Sequence, residues 1–122
     1  MAVSIEELIA KKDEIKAKKA AKYALETSIG DIIVKLPTSG IIADAWNFNN
    51  SMDGNKYVIL ECTVEPNLKN AELQKAYGIG DPMDIVAALF QPGEITRIAS
   101  VILDKAGYKE NIRIKLANEI KN

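Results

Sequence analysis

The sequence has no histidine, and that absence excludes more than any other feature. Ser-His-Asp and Cys-His catalysis both need an imidazole to move the proton, and every His-containing zinc site needs one as a ligand. A single cysteine, Cys62, stands among 122 residues. One thiol cannot form an intramolecular disulfide or hold a cysteine-based metal cluster within one chain. No run approaches the roughly 18 apolar residues of a membrane span. The first residues offer no signal-peptide core, because the stretch from Ile5 to Ala10 runs at once into charges. An excess of charge of one sign is missing too. Sixteen Lys and Arg against 17 Asp and Glu leave a formal net charge of −1. A general nucleic-acid binder needs a surplus of basic residues to neutralise phosphates. The expectation is a soluble, cytosolic protein whose partners include neither nucleic acid nor membrane.

What is present is ordinary globular composition, 48% hydrophobic and 27% charged. A chain of this length suits one domain and buries roughly two-thirds of the surface it exposes when unfolded, enough for a core without metals or disulfides.

Ser4 and Glu7 stand at capping-box spacing, with Val3 and Leu8 placed to form a hydrophobic staple around them. A helix follows from about Ile5, with a thin apolar stripe of Ile5, Leu8, Ile9 and Ile15. Lys11 to Lys22 carries six lysines against Asp13 and Glu14, which reads as a solvated helix or as a basic arm for an acidic partner. The period then changes. Tyr23, Leu25 and Thr27 alternate with smaller or polar residues. Beyond Ser28-Ile29-Gly30-Asp31, Ile32, Val34 and Leu36 alternate again, the pattern of a β-hairpin over 23–36 that Pro37 ends. An isolated hairpin is marginal in water, so it must pack on something or gain a partner strand.

From Thr38 the apolar spacing is helical, with Ile41, Ala45, Phe48 and Met52 recurring and Ile42 and Trp46 beside them. Trp46 on that stripe is expected in the core. Asp53-Gly54-Asn55 reads as a break. The run 57–64 is ambiguous. Val58, Leu60, Cys62 and Val64 alternate as in a strand, Tyr57, Leu60, Glu61 and Val64 would suit a helix, and the β-branched composition leans to strand. Asn67 can cap a short helix reaching Tyr77, with Leu68, Ala71 and Leu73 inward and Gly78 as C-terminal cap. Asp81-Pro82 marks another start, followed by a face of Met83, Val86, Ala87, Leu89 and Phe90. Pro92-Gly93-Glu94 opens the cleanest stripe, Ile95, Ile98, Ala99, Ile102, Leu103 and Ala106, which Gly107 closes. Residues 109–121 are expected to form a last helix on Ile112, Leu116 and Ile120.

Chemistry is hard to find. No glycine-rich loop ends in Lys-Ser or Lys-Thr, and Gly78-Ile79-Gly80 is too short for a dinucleotide fingerprint and reads as a connector. Asp81 and Asp84 resemble an acid–base pair, but at a helix start they satisfy free backbone N–H groups. Glu61 and Glu65 share a face only if that segment is helical, and two carboxylates alone are a poor cation site. Cys62 lies in an apolar run and reads as a buried structural thiol. No catalytic, cofactor-binding or metal-binding residue is expected, and the chain reads as a binding protein, not an enzyme. Its candidate surfaces are the hairpin edge, the basic arm and the short-helix face, with Met52 and Met83 as adaptable contacts.

The run Glu61-Cys62-Thr63-Val64-Glu65-Pro66-Asn67-Leu68, then Leu73, Tyr77-Gly78, Pro82, Asp84-Ile85-Val86, Leu89-Phe90 and Pro92-Gly93-Glu94-Ile95, resembles the phage tail assembly chaperone family. More narrowly, it resembles the type carried by contractile-tailed phages and defective prophages of Gram-positive bacteria. Ser4-Ile5-Glu6-Glu7-Leu8, the Lys-rich stretch and Ala106-Gly107-Tyr108 also fit. The resemblance implies that 57–64 is helical. It implies a non-enzymatic chaperone in the host bacterial cytoplasm, absent from the mature virion. Its implied partners are the tape measure protein, which it keeps soluble, and the tail tube protein, which it helps recruit, with self-association open. A structural tail or head-tail connector subunit retained in the virion is the alternative.

The expected fold is α+β and mostly α: an N-terminal helix, a β-hairpin, then a bundle of short helices. The expected division is a charged N-terminal helix at 1–22 and a single globular domain at 23–122, with the hairpin at 23–36 and the helical part at 38–121.

Overall fold

The computed structural model describes residues 2–108 and 112–117. The order of elements is α1 (Ile5–Ala10), α2 (Lys12–Ala20), β1 (Lys22–Thr27), β2 (Gly30–Lys35), α3 (Ser39–Trp46), α4 (Ser51–Cys62), β3 (Thr63–Glu65), α5 (Ala71–Ala76), α6 (Asp84–Leu89) and α7 (Pro92–Lys105). The fold is α+β, with an N-terminal helical segment, a hairpin and a run of short helices, as the sequence implies.

The N-terminal helix starts where its capping box places it. The Ser4 hydroxyl accepts from the Glu7 amide, and the Glu7 carboxylate accepts from the Ser4 amide. A break at Lys11 divides this segment into α1 and α2, and neither helix buries a residue.

The hairpin pairs Thr27 with Gly30 across the two-residue loop Ser28-Ile29, and Gly30 takes φ 121°, a conformation natural to glycine. Period-two alternation puts Ile32 and Val34 of β2 into the core and leaves Tyr23 and Leu25 of β1 half-buried on the same face. The partner strand that a marginal hairpin needs is β3. It pairs antiparallel with β2 at Ile33–Glu65 and Val34–Thr63, giving the order β1-β2-β3. The central strand is therefore covered on both edges, and β1 keeps one edge open.

Helix α4 organises the rest, packing on α3, α6, α7 and β3. Val58, Ile59, Leu60 and Cys62 are all buried, and so are Ile85, Val86 and Phe90 around α6 and Ile95, Ile98, Ala99 and Ile102 of α7. At about 1.5–3 kcal/mol for each large side chain withdrawn from water, this cluster is the main favourable term of the fold. The segment 57–64 resolves in two parts: 57–62 is the second half of α4 and 63–65 is strand. A helix buried on most sides needs apolar residues nearly all round, which makes its sequence look like a strand. The Thr63 hydroxyl closes the helix by donating to the Ile59 carbonyl at 2.7 Å.

Several expectations need correction. Asp53-Gly54-Asn55 is no break but the first turns of α4. The Asn50 side chain caps the helix by accepting from the Asp53 amide at 2.8 Å, and Gly54 lets α3 approach. A Cβ at Gly54 would lie 2.7 Å from the Ala45 carbonyl oxygen. Trp46 is not core but 70% exposed. The α3–α4 approach centres on Ala45, and Trp46 lies beyond it on the margin of the α3 stripe, where its ring meets Tyr108 edge-on at 5.8 Å. Asn67 does not open a long helix. Its side chain accepts from the Lys69 amide in a turn, and Asn70 caps the short α5, from which Ala71 points outward. On α6, Ile85 takes the inward place expected of Ala87. The last helix does not extend over the described residues 112–117: residues 112–116 have no regular structure, and Ile112, Ile114 and Leu116 are 91%, 91% and 69% exposed. Ile120 lies outside the described residues.

Candidate functional site

The side chains with potential chemistry are placed for structure. Cys62 is fully buried, and burial pushes its thiol up to about 11, so almost no nucleophilic thiolate is present near neutrality. Asp81 accepts from the Met83 amide at 3.0 Å, and Asp84 is the first residue of α6, so both serve the helix start. Glu61 pairs with Lys69, while Glu65 lies in β3, so the two are not one helical face. Among the described residues, no group of three or more Cys, Asp or Glu side chains could hold a metal ion. Gly78 takes φ 66° and ends α5. Its amide reaches the Lys75 carbonyl and the Ile79 amide reaches the Gln74 carbonyl, the paired bonds of a helix terminus. Gly107 at φ 92° ends α7 in the same way, through Gly107 to Asp104 and Tyr108 to Leu103.

The remaining features are surfaces. The first is the N-terminal arm. Val3, Ile5, Leu8, Ile9 and Ile15 are exposed there, and the lysines from Lys11 to Lys19 are exposed with no ion pair among the described residues. Met52 and Met83 are not part of any such surface, because both are half-buried against the core.

The second surface is the open edge of β1. Beside it runs a groove of about 490 Å³ between the strand and α7, lined by the edge of β1 from Ala24 to Thr27, Glu26 included, and by Glu94, Arg97, Ile98 and Val101 from α7. Both ends of the groove are fixed. At the hairpin tip, the Ser28 amide and hydroxyl donate to the Glu94 carboxylate at 2.8 and 2.5 Å. These bonds favour the charged form and hold the Glu94 carboxyl below its ordinary value, with Arg97 helping. At the other end, the Lys105 ammonium lies 5.4 Å over the Tyr23 ring.

The third surface is a groove of about 330 Å³ between α3 and α4, lined by Ile42, Trp46, Phe48, Gly54, Val58 and Leu103 among others. Beside it, Tyr57 donates to the Asp44 carboxylate at 3.1 Å. Burial and this bond raise the phenol above its ordinary range.

Sequence reasoning missed two of these features. The Ser28–Glu94 clamp joins residues 66 positions apart and has no local signal. The β1–α7 groove had a faint one: Val101 is apolar but lies off the buried stripe of α7.

Residues 44–121 match the family model of the phage XkdN-like tail assembly chaperone protein. The chain belongs to that family. In this tail assembly chaperone the match begins near the end of α3 and takes in α4, β3, α5, α6 and α7, so it covers the helical core and the α7 wall of the β1 groove. The arm and the hairpin lie before it. No curated protein and no solved structure gives a significant match to the chain.

Proposed function

We propose that this chaperone binds the tape measure protein, keeps it soluble, and helps bring tail tube subunits to it during tail morphogenesis. It acts by binding alone, in the host bacterial cytoplasm, and leaves before the particle is finished. The observation that carries this reading is the N-terminal arm. The arm holds five large apolar side chains in water, Val3 ahead of the capped α1 and four on the two helices, beside a run of lysines, and none of them contributes to the core. A long partner with amphipathic helices exposed before assembly offers complementary apolar stripes, and such contacts need no chemistry.

The test is co-expression of the tagged chain with the tape measure protein of the same phage. Soluble, co-purifying tape measure protein is the expected result, with recovery reduced when residues 1–20 are deleted. Insoluble and unbound tape measure protein would count against the reading. The chain should also be missing from the mass spectrum of purified particles. Its presence there would favour a structural tail or connector subunit instead.

A further inference from the structure

We propose that the open edge of β1 is completed by segment 112–116 of a second copy of this chain, added to the sheet as a fourth strand. The proposal is independent of any tail partner.

The edge and the segment fit each other in two ways. The first is apolar. Ile112, Ile114 and Leu116 alternate with Arg113 and Lys115, so as a strand the segment has one apolar and one basic face. At 91%, 91% and 69% exposure, those three side chains have no cover of their own. Laid along β1, they face Leu25, Ile98 and the exposed Val101 in the groove. An added strand gives main-chain hydrogen bonds to the edge, and the groove selects the side chains.

The second fit is electrostatic. On the outer face of the hairpin Glu26 is paired directly across from Asp31, and neither has an ion-pair partner among the described residues. Like charges in that position repel. Arg113 and Lys115 on the basic face of the added strand come to the same side of the sheet. Lys22 and Lys35, paired at the opposite end of the hairpin, direct those cations toward Glu26 and Asp31. Within the groove, Arg97 and the clamped Glu94 form the rim at the hairpin-tip end. A slip of one residue would turn Ile112, Ile114 and Leu116 to the outer, solvent face of the sheet, so the facing is specified.

The occupant comes from another copy because of where the chain leaves α7. Tyr108 turns onto Trp46, on the side of Leu103, and Leu103 lies about 200° around the helix from Val101. A helix about 10–12 Å across therefore separates the exit from the β1 edge. Within one chain Ile112 and Ile114 are 91% exposed and residues 112–116 do not line the groove, so the chain's own segment leaves the edge open. Reciprocal docking of two copies closes a twofold dimer.

The full-length protein at tens of micromolar is examined by size-exclusion chromatography with light scattering. A dimer is expected, and Ile114→Asp should halve the mass while leaving the far-ultraviolet circular dichroism spectrum unchanged, because Ile114 is 91% exposed within its own chain and is covered only in the dimer. Differently tagged Ala24→Cys and Lys115→Cys chains, both substituted on the outer face, should form an interchain disulfide when mixed and oxidised. Ala24→Cys with Lys75→Cys should not, and buried Cys62 stays silent. A monomeric wild type, a dimer that survives Ile114→Asp, or closure within one chain of the Ala24→Cys, Lys115→Cys double variant would each overturn the proposal.

Discussion

Gly54 offers a test in which two physical effects oppose each other. In an ordinary helix interior, replacing glycine by alanine stabilises by up to about 1 kcal/mol, since alanine restricts the unfolded chain and suits the helix. At Gly54 the new Cβ would meet the Ala45 carbonyl oxygen at 2.7 Å and its carbon at 3.6 Å. Both are backbone atoms of α3, so relief requires the two helices to separate. Overpacking of this kind costs about 1–3 kcal/mol, and separation also loosens Ala45 and Val58, which are buried beside the contact. The overlap wins, and Gly54→Ala should destabilise by about 1–2 kcal/mol net, or roughly 4–8 °C in melting temperature for a chain of this size. Two other helical glycines serve as controls. Gly40 would place its Cβ 3.8 Å from the Thr38 hydroxyl, and Gly93 would meet nothing within 4 Å. Gly40→Ala and Gly93→Ala should be neutral or stabilising. Melts followed by circular dichroism read all three variants. If Gly54→Ala matches or exceeds the wild type, the close approach of α3 to α4 is wrong.

The Ser28–Glu94 clamp makes stability depend on acid. Because the folded-state value of Glu94 is lowered, its contribution is present above the ordinary 4.5 and is lost as pH falls through the depressed folded value. The melting-temperature gap between wild type and Glu94→Ala should therefore be open at pH 7 and close towards pH 3; a gap constant across that range would contradict the clamp. Cys62 should resist a disulfide thiol reagent in native buffer and react in step with urea unfolding, and prompt stoichiometric labelling at pH 8 would show that the α4–β3 junction is open. Ser4→Ala removes the cap of α1, a loss of about 1 kcal/mol locally. Since α1 and α2 bury nothing, amide exchange at residues 5–10 should accelerate while the global melt stays put.

The readable parts of the sequence were those whose signals are local. Ser4 and Glu7, Gly30 after a two-residue loop, and Pro92 with Gly107 around one apolar stripe each fix their own backbone, and each stands where its chemistry points. Misreadings arose where a residue's role is set by something distant. Gly54 looks like a helix breaker until Ala45 is brought against it. Val58, Ile59 and Leu60 look like a strand because a helix surrounded by other elements has no polar face there. Trp46 fits an inward stripe but lies past the place where α4 covers it. Segment 112–116 satisfied a four-residue spacing at Ile112 and Leu116, but Ile114 between them fits a period of two. The candidate surfaces were legible only as far as the arm and the hairpin edge; the groove behind that edge depends on α7, some 70 residues further along.

The division of apolar side chains bears on how long any partner stays bound. The core set is closed around α4, whereas Ile5, Leu8, Ile9 and Ile15 remain in water. Burying those four in a partner would gain about 6–12 kcal/mol gross. Association and ordering oppose this with about 4–15 kcal/mol. A contact made through the arm alone is thus weak and reversible, and it tightens only where several copies engage one long partner together. On the proposed function, release would follow when assembling subunits compete for the same apolar stripes. A subunit kept in the particle would need a larger buried joint than these side chains supply, and this favours a transient role over a permanent one.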